Sequence, residues 1–241
     1  MRSHLLVWGV AAFAAQAAAA APVSFDLAAA ANKDVVCEAK LHPKAAAFGE
    51  NPAGIQAFVE DGYTDMKAEA RGLPRTRKIG SNEPGLGQYV LLPYDGPNVI
   101  ELATQAEAKP QRYDIDVPDA KYRKIGVLAS AVDGDASFTI EFHYADGSVE
   151  ATWWEADDWY DMGPRGNLKK VLRDMDRAVA KTGAVEKSGH FNVYEYVVDD
   201  QRGLDPEKVL DRIVIGNSPN RWPDTEKRWG AVFAVSGETA E

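Results

Sequence analysis

An all-β fold, two antiparallel sheets packed face to face, is predicted for this chain by three observations. Roughly nine to twelve short apolar or alternating runs are separated by Gly, Pro and Asp turn signals, and the pattern is clearest from Gly85 onward. Tyr113, Ile115 and Val117 alternate with Arg112, Asp114 and Asp116, as on a strand with one dry face. Asp146-Gly147 sits between two alternating runs, which is a strong hairpin signal. Sheets with one apolar face stabilise themselves by burying it against another such sheet.

The chain has 241 residues. Its start reads as a secretory signal peptide over residues 1–20. Arg2 supplies the positive charge, residues 5–15 are apolar, and Ala18-Ala19-Ala20 fits the small-x-small cleavage rule. The apolar run is shorter than the roughly 20 residues that span a bilayer, and no second such run follows. The expectation is a secreted or periplasmic protein with no membrane contact once the leader is removed. Residues 21–241 then form a single domain, a size that suits one sandwich. The chain holds 27 Lys and Arg against 37 Asp and Glu, a net charge of −10. Phosphate backbones need clustered cations, so nucleic acid is excluded as a partner. The one cysteine, Cys37, lies in an apolar stretch and reads as a small buried side chain. The fold must then be held by its core.

Strands are expected in order at 23–27, 34–37 and 55–59. They continue at 88–92, after the Gly72-Leu73-Pro74 turn, and at 98–103, after the turn at Tyr94-Asp95-Gly96-Pro97. The run 125–131 is apolar on both faces and reads as a central strand. Further strands are expected at 191–198, 209–215 and 229–235. For residues 167–182 a short inserted helix competes with a strand, because Leu168, Val171, Leu172, Met175 and Val179 have helical spacing.

A two-residue turn at Asp146-Gly147 sets a register in which Tyr144 faces Val149 and Ile140 faces Trp153. Ile140, Phe142, Tyr144, Val149, Ala151 and Trp153 then share the core face. Thr139, Glu141, His143, Glu150, Thr152 and Trp154 share the polar face. A slip of one residue would exchange the faces of a strand.

Several short pieces in chain order give a family resemblance. They are Phe25-Asp26-Leu27 with Asn32 and Asp34, Gly72-Leu73-Pro74, Asn98, Tyr144-Ala145-Asp146-Gly147-Ser148, Asp158-Trp159, Tyr194, Asp205-Pro206-Glu207-Lys208 and Phe233-Ala234. In these the chain resembles the galactose-binding-domain-like β-sandwiches of secreted bacterial proteins. The resemblance implies a two-sheet jelly roll, often with carbohydrate-binding function and sometimes with a structural calcium. It brings no catalytic motif.

The residues point the same way. Trp153, Trp154, Trp159, Tyr160, Trp222 and Trp229 supply aromatic rings, and carboxylates lie among them. Sugar rings stack their C–H faces on aromatics and bond their hydroxyls to carboxylates and Arg. Tryptophan is also a large core residue, and the hairpin register assigns Trp153 and the following loop assigns Trp159 to that role. The candidate glycan contacts are therefore Trp154, Trp222, His143, Glu150, Asp157 and Arg221, with His143 paired across the strands to Glu150. Asp26, Asn32 and Asp34, or else Asp133 and Asp135, could supply the oxygen donors of a structural calcium; no other cofactor is expected. The first functional expectation is a non-catalytic protein that binds a glycan or polysaccharide. A polysaccharide lyase or glycosidase on the same fold, and a structural protein of the cell envelope, are the alternatives.

Overall fold

The computed structural model describes residues 22–38, 47–49, 56–65, 67–103, 111–160, 169–217 and 228–240. These residues form an all-β fold. The strands are β1 (Pro22–Ser24), β2 (Val36–Cys37), β3 (Gln56–Val59), β4 (Lys78–Gly80), β5 (Gln88–Val90), β6 (Ile100–Ala103) and β7 (Arg112–Val132). They continue with β8 (Ala136–Tyr144), β9 (Val149–Ala156), β10 (Lys169–Val179), β11 (Val185–Val198), β12 (Val209–Asn217) and β13 (Trp229–Thr239). One turn of 3₁₀ helix, Asp200–Arg202, precedes β12.

The 21-residue β7 belongs to two layers. Residues 112–121 pair with β12, which continues through β8 to β9. Residues 122–132 lie between β11 and β13. From β11 the second layer runs on to β10, β3 and β2, and the far edge of β13 takes β6 and β1. The switch falls at Pro118, which has no N–H to give a ladder. There Asp116 pairs with Arg212 and Ala120 with Leu210, so β7 spends three residues where β12 spends one. A bulge of this kind bends the strand and re-aims it.

Burial follows from that geometry. Ile115, Phe138, Ile140, Phe142, Trp154, Ile213 and Ile215 of the first layer meet Ile125, Val127, Val232 and Val235 of the second. The second layer is covered again on its other face. There Leu128, Phe191, Val193 and Phe233 pack under Val35, Phe58, Leu73, Tyr89, Leu91 and Val99 of the N-terminal third. A strand covered on both sides must be apolar on both faces, which is why 125–131 reads as a continuous run. Cys37 is buried, as its neighbours suggested.

Residues 169–179 correct the helical expectation: they are β10, paired with β11 and β3. Lys170 pairs with Tyr194, Leu172 with Val193 and Met175 with Phe191. Twice, then, β10 carries one residue more than its partner, and Asp174 takes a positive φ of 56° in the second bulge. Inserting single residues into a period of two yields spacings of three, which imitates a helical stripe.

The N-terminal third is pinned by a buried carboxylate. Glu195 of β11 has no exposed surface. It accepts hydrogen bonds from Ser81 Oγ, from Tyr89 Oη at 2.7 Å and from the Asn82 N–H at 3.1 Å.

Candidate functional site

The outer face of the first layer carries the candidate site, and its make-up depends on the β8–β9 hairpin. The connection is a three-residue loop. Gly147 N donates to Tyr144 O at 2.9 Å and Tyr144 N donates to Ser148 O at 3.0 Å. Gly147 sits at φ 82°, the left-handed position that closes a type I turn with a bulge. Asp146 supports it by accepting from the Ser148 N–H at 2.8 Å and the Ser148 hydroxyl at 2.5 Å. The extra residue shifts β9 by one against the expected register. His143 now faces Val149, Phe142 faces Glu150, Thr139 faces Trp153 and Phe138 faces Trp154.

The two tryptophans therefore exchange roles. Trp154, expected to face solvent, is 1% exposed and packs on Phe138 and Tyr196 with ring centroids 4.8 and 6.2 Å away. Trp153, expected in the core, is 44% exposed. Trp159 is buried against Phe48, Phe58 and Phe191, in keeping with its expected packing role.

Three rows of residues cross the outer face in register. Trp153, Thr139, Gly216 and Arg112 form the first. Ala151, Glu141, Val214 and Asp114 form the second, and Val149, His143, Arg212 and Asp116 the third. Side chains at i, i+2 and i+4 of a strand share a face, so these twelve positions make one surface. Gly216 keeps the first row low, because a Cβ there would press on Thr139 Oγ1 at 3.0 Å and the Gln111 carbonyl at 3.1 Å.

A hydrogen-bonded network orders the polar groups. Arg112 grips Glu141 with both terminal nitrogens, each at 2.6 Å. His143 Nε2 lies 3.1 Å from Glu141 Oε2, and His143 Nδ1 lies 3.1 Å from Arg212 Nη2. Arginine only donates, so Nδ1 accepts and Nε2 carries the proton given to Glu141. Arg212 also reaches Asp114 at 3.1 Å. The Arg112 guanidinium, against a smaller opposing effect of burial, holds the Glu141 carboxyl below its ordinary 4.5.

The other expected contacts are placed as follows. His143 pairs with Glu141 and Arg212 rather than with Glu150. Glu150 instead lies 3.8 Å from Lys208. Asp157 is 1% exposed, and a buried carboxylate there offers nothing to a surface ligand. Trp222 and Arg221 lie outside the described residues. Asp26 accepts from the Ala28 N–H, Asn32 bonds the Glu101 backbone and Tyr113, and Asp34 accepts from Asn98. These three donors serve separate loop contacts. Among the described residues, no three His, Cys, Asp or Glu side chains gather as a metal site. Trp153, Arg112, Asp114 and Arg212 were missed as site residues. The alternation at 112–116 had already marked Arg112 and Asp114 as facing solvent.

A separate cleft of about 400 Å³ opens where β7 changes layers. Lys121, Arg123 and Lys124 line it together with Asp199, Asp200 and Glu207. Among the described residues, no helix is long and apolar enough to cross a membrane.

No protein-family profile matches the chain, and no curated protein matches it. Among solved structures it is similar to the catalytic unit of a thermostable GH87 α-1,3-glucanase from Streptomyces thermodiastaticus strain HF3-3. That likeness has 13% identity over 60% of this chain and 20% of the other, with a TM-score of 0.32. It is also similar to an agarase, AgWH50C, at 8% identity over 68% of this chain and 23% of the other, with a TM-score of 0.33. The chain thus spans 20% and 23% of the length of these two proteins. The reading of the site rests on its own geometry.

Proposed function

We propose that this chain is an exported, non-catalytic carbohydrate-binding β-sandwich of the galactose-binding-domain-like jelly-roll kind, and that the outer face of its first layer receives the glycan. The observation that carries this reading is the exposed Trp153 ring set in register beside Thr139, on the strand next to the one that carries Glu141, whose carboxylate Arg112 holds from β7. An aromatic ring offers a stacking surface for sugar C–H groups, and the Arg112–Glu141–His143 network offers fixed donors and acceptors for hydroxyls. Preorganised groups lose little entropy when a ligand binds. The signal peptide expected at residues 1–20 would place this face where external glycans are found.

The same network favours binding over cleavage. A glycosidase needs one carboxyl kept protonated as an acid beside a second carboxylate. Glu141 is held ionised by Arg112, and Asp114 lies against Arg212.

A glycan array probed with the purified protein tests the reading. Binding to at least one polysaccharide class, lost in Trp153→Ala with the fold intact, is expected. Absence of binding across plant, algal and bacterial glycans would overturn it.

A further inference from the structure

We infer that the glycan is uncharged and lies along β9, its rings on Val149, Ala151 and Trp153 and its hydroxyls turned to Thr139, Glu141 and His143. This rests on the binding reading and goes beyond it in naming the ligand class and its direction.

The shape of the face sets the direction. Val149 is 50% exposed, Trp153 44%, and Ala151 between them is exposed too. These three successive outward positions make an apolar stripe about 14 Å long at the usual rise per strand residue. That is longer than one pyranose ring. Thr139, Glu141 and His143 face the stripe pair by pair across the ladder, about 5 Å away. An extended glycan presents the same pattern, with C–H faces on one side and hydroxyls at the ring edges. The β9 edge is also partly taken against a competing ligand, an added β-strand. Tyr196 Oη donates to the Trp153 carbonyl at 3.1 Å and so occupies an acceptor that strand addition would use.

Charge sets the class. Among the described residues, the cations around the stripe are already answered: Arg112 by Glu141, Arg212 by Asp114, and Lys208 by Asp205 at 3.5 Å and Glu150 at 3.8 Å. Asp116 adds an exposed negative charge to the face, and the chain carries −10 overall. Among the described residues, a uronate or sulfate group would approach carboxylates with no uncommitted cation on this face to meet it. Neutral hydroxyls carry no such penalty, and arginine–carboxylate pairs supply both donors and acceptors to them.

Affinity gel electrophoresis of the purified protein tests this, with gels containing a neutral β-glucan, mannan or galactan, or else alginate, polygalacturonate or a sulfated galactan. Retardation is expected in at least one neutral gel, changing less than twofold in affinity between 50 and 500 mM NaCl. Trp153→Ala should weaken it at least tenfold and Ala151→Glu at least fivefold, with thermal melts confirming that both variants fold. Trp153→Phe should keep most of the affinity. Retardation in acidic gels alone, lost in Trp153→Ala, overturns the uncharged ligand and leaves the platform standing. Neutral binding that Ala151→Glu leaves intact overturns the direction along β9. Retardation in no gel, or retardation indifferent to Trp153, overturns the platform itself.

Discussion

Replacing Glu195 by Ala should destabilise the protein by about 4 kcal/mol, and the structure shows where that figure comes from. The carboxylate is fully buried and accepts three hydrogen bonds, from Ser81 Oγ, Tyr89 Oη and the Asn82 N–H. Hydrogen bonds to a charged group contribute about 1.5–3 kcal/mol each. Their sum is offset by several kcal/mol spent in taking the carboxylate out of water. Truncation also leaves the buried Tyr89 hydroxyl with no acceptor, at about 1–3 kcal/mol, while Ser81 Oγ keeps the Glu83 carbonyl at 3.1 Å and the exposed Asn82 amide can turn to water. Removing one partner from a buried charged cluster typically costs about 3–5 kcal/mol, which brackets the estimate. Tyr89 cannot compensate by ionising, since burial and the Glu195 charge push its hydroxyl far above its ordinary range. At about 2–4 °C per kcal/mol for a domain of this size, the melting temperature should fall by roughly 8–16 °C. Urea unfolding followed by tryptophan fluorescence measures the loss. Tyr89→Phe should cost about 1–2 kcal/mol in the native background and far less in the Glu195→Ala background. A Glu195→Ala protein within 1 kcal/mol of the parent, or additive losses in the double variant, would refute the idea that this carboxylate pins the N-terminal third to the sheet.

Two further predictions concern the hairpin and the acid limb. Trp154→Ala should cost about 3–5 kcal/mol through the cavity it opens, whereas Trp153→Ala, at a ring 44% exposed, should cost about 1–2 kcal/mol while removing glycan binding; paired urea titrations and binding curves check both. For Asp176, burial alone would raise the carboxyl. The Arg71 N–H and Lys187 outweigh burial and hold it below 3.8. A depressed folded value means the stabilisation is complete above the unfolded value and is lost as pH falls through the folded one. Urea midpoints should therefore drop below about pH 4, and Asp176→Asn should flatten that limb; an unchanged limb would count against the assignment.

Much of the strand order was legible because it rests on local patterns. The half-buried 112–117, the doubly buried 125–131 and the strands at 191–198, 209–215 and 229–235 all appear where alternation or a continuous apolar run placed them. The sequence divided 112–131 in two because its burial pattern changes midway. The structure runs one strand through that point and bends it at Pro118. The bulged β10 misled for the opposite reason. Its apolar residues do face the core, but two inserted residues turned a strand's period into a helix-like one.

By itself, the sequence determined the all-β class, the acidic net charge, the apolar and polar positions of most strands, and a core that must hold without a disulfide. The tertiary structure decided which tryptophan meets solvent and which polar groups meet each other. Asp-Gly is compatible with a two-residue or a three-residue loop, and the difference is one residue of register. Because strand side chains alternate with a period of two, that single residue carried Trp154 into the core and Trp153 out beside Thr139. The partners of Glu141 were just as hidden, since Arg112 and Arg212 reach it and His143 from strands far apart in the chain, and only the pairing of β7, β12 and β8 brings them onto one face.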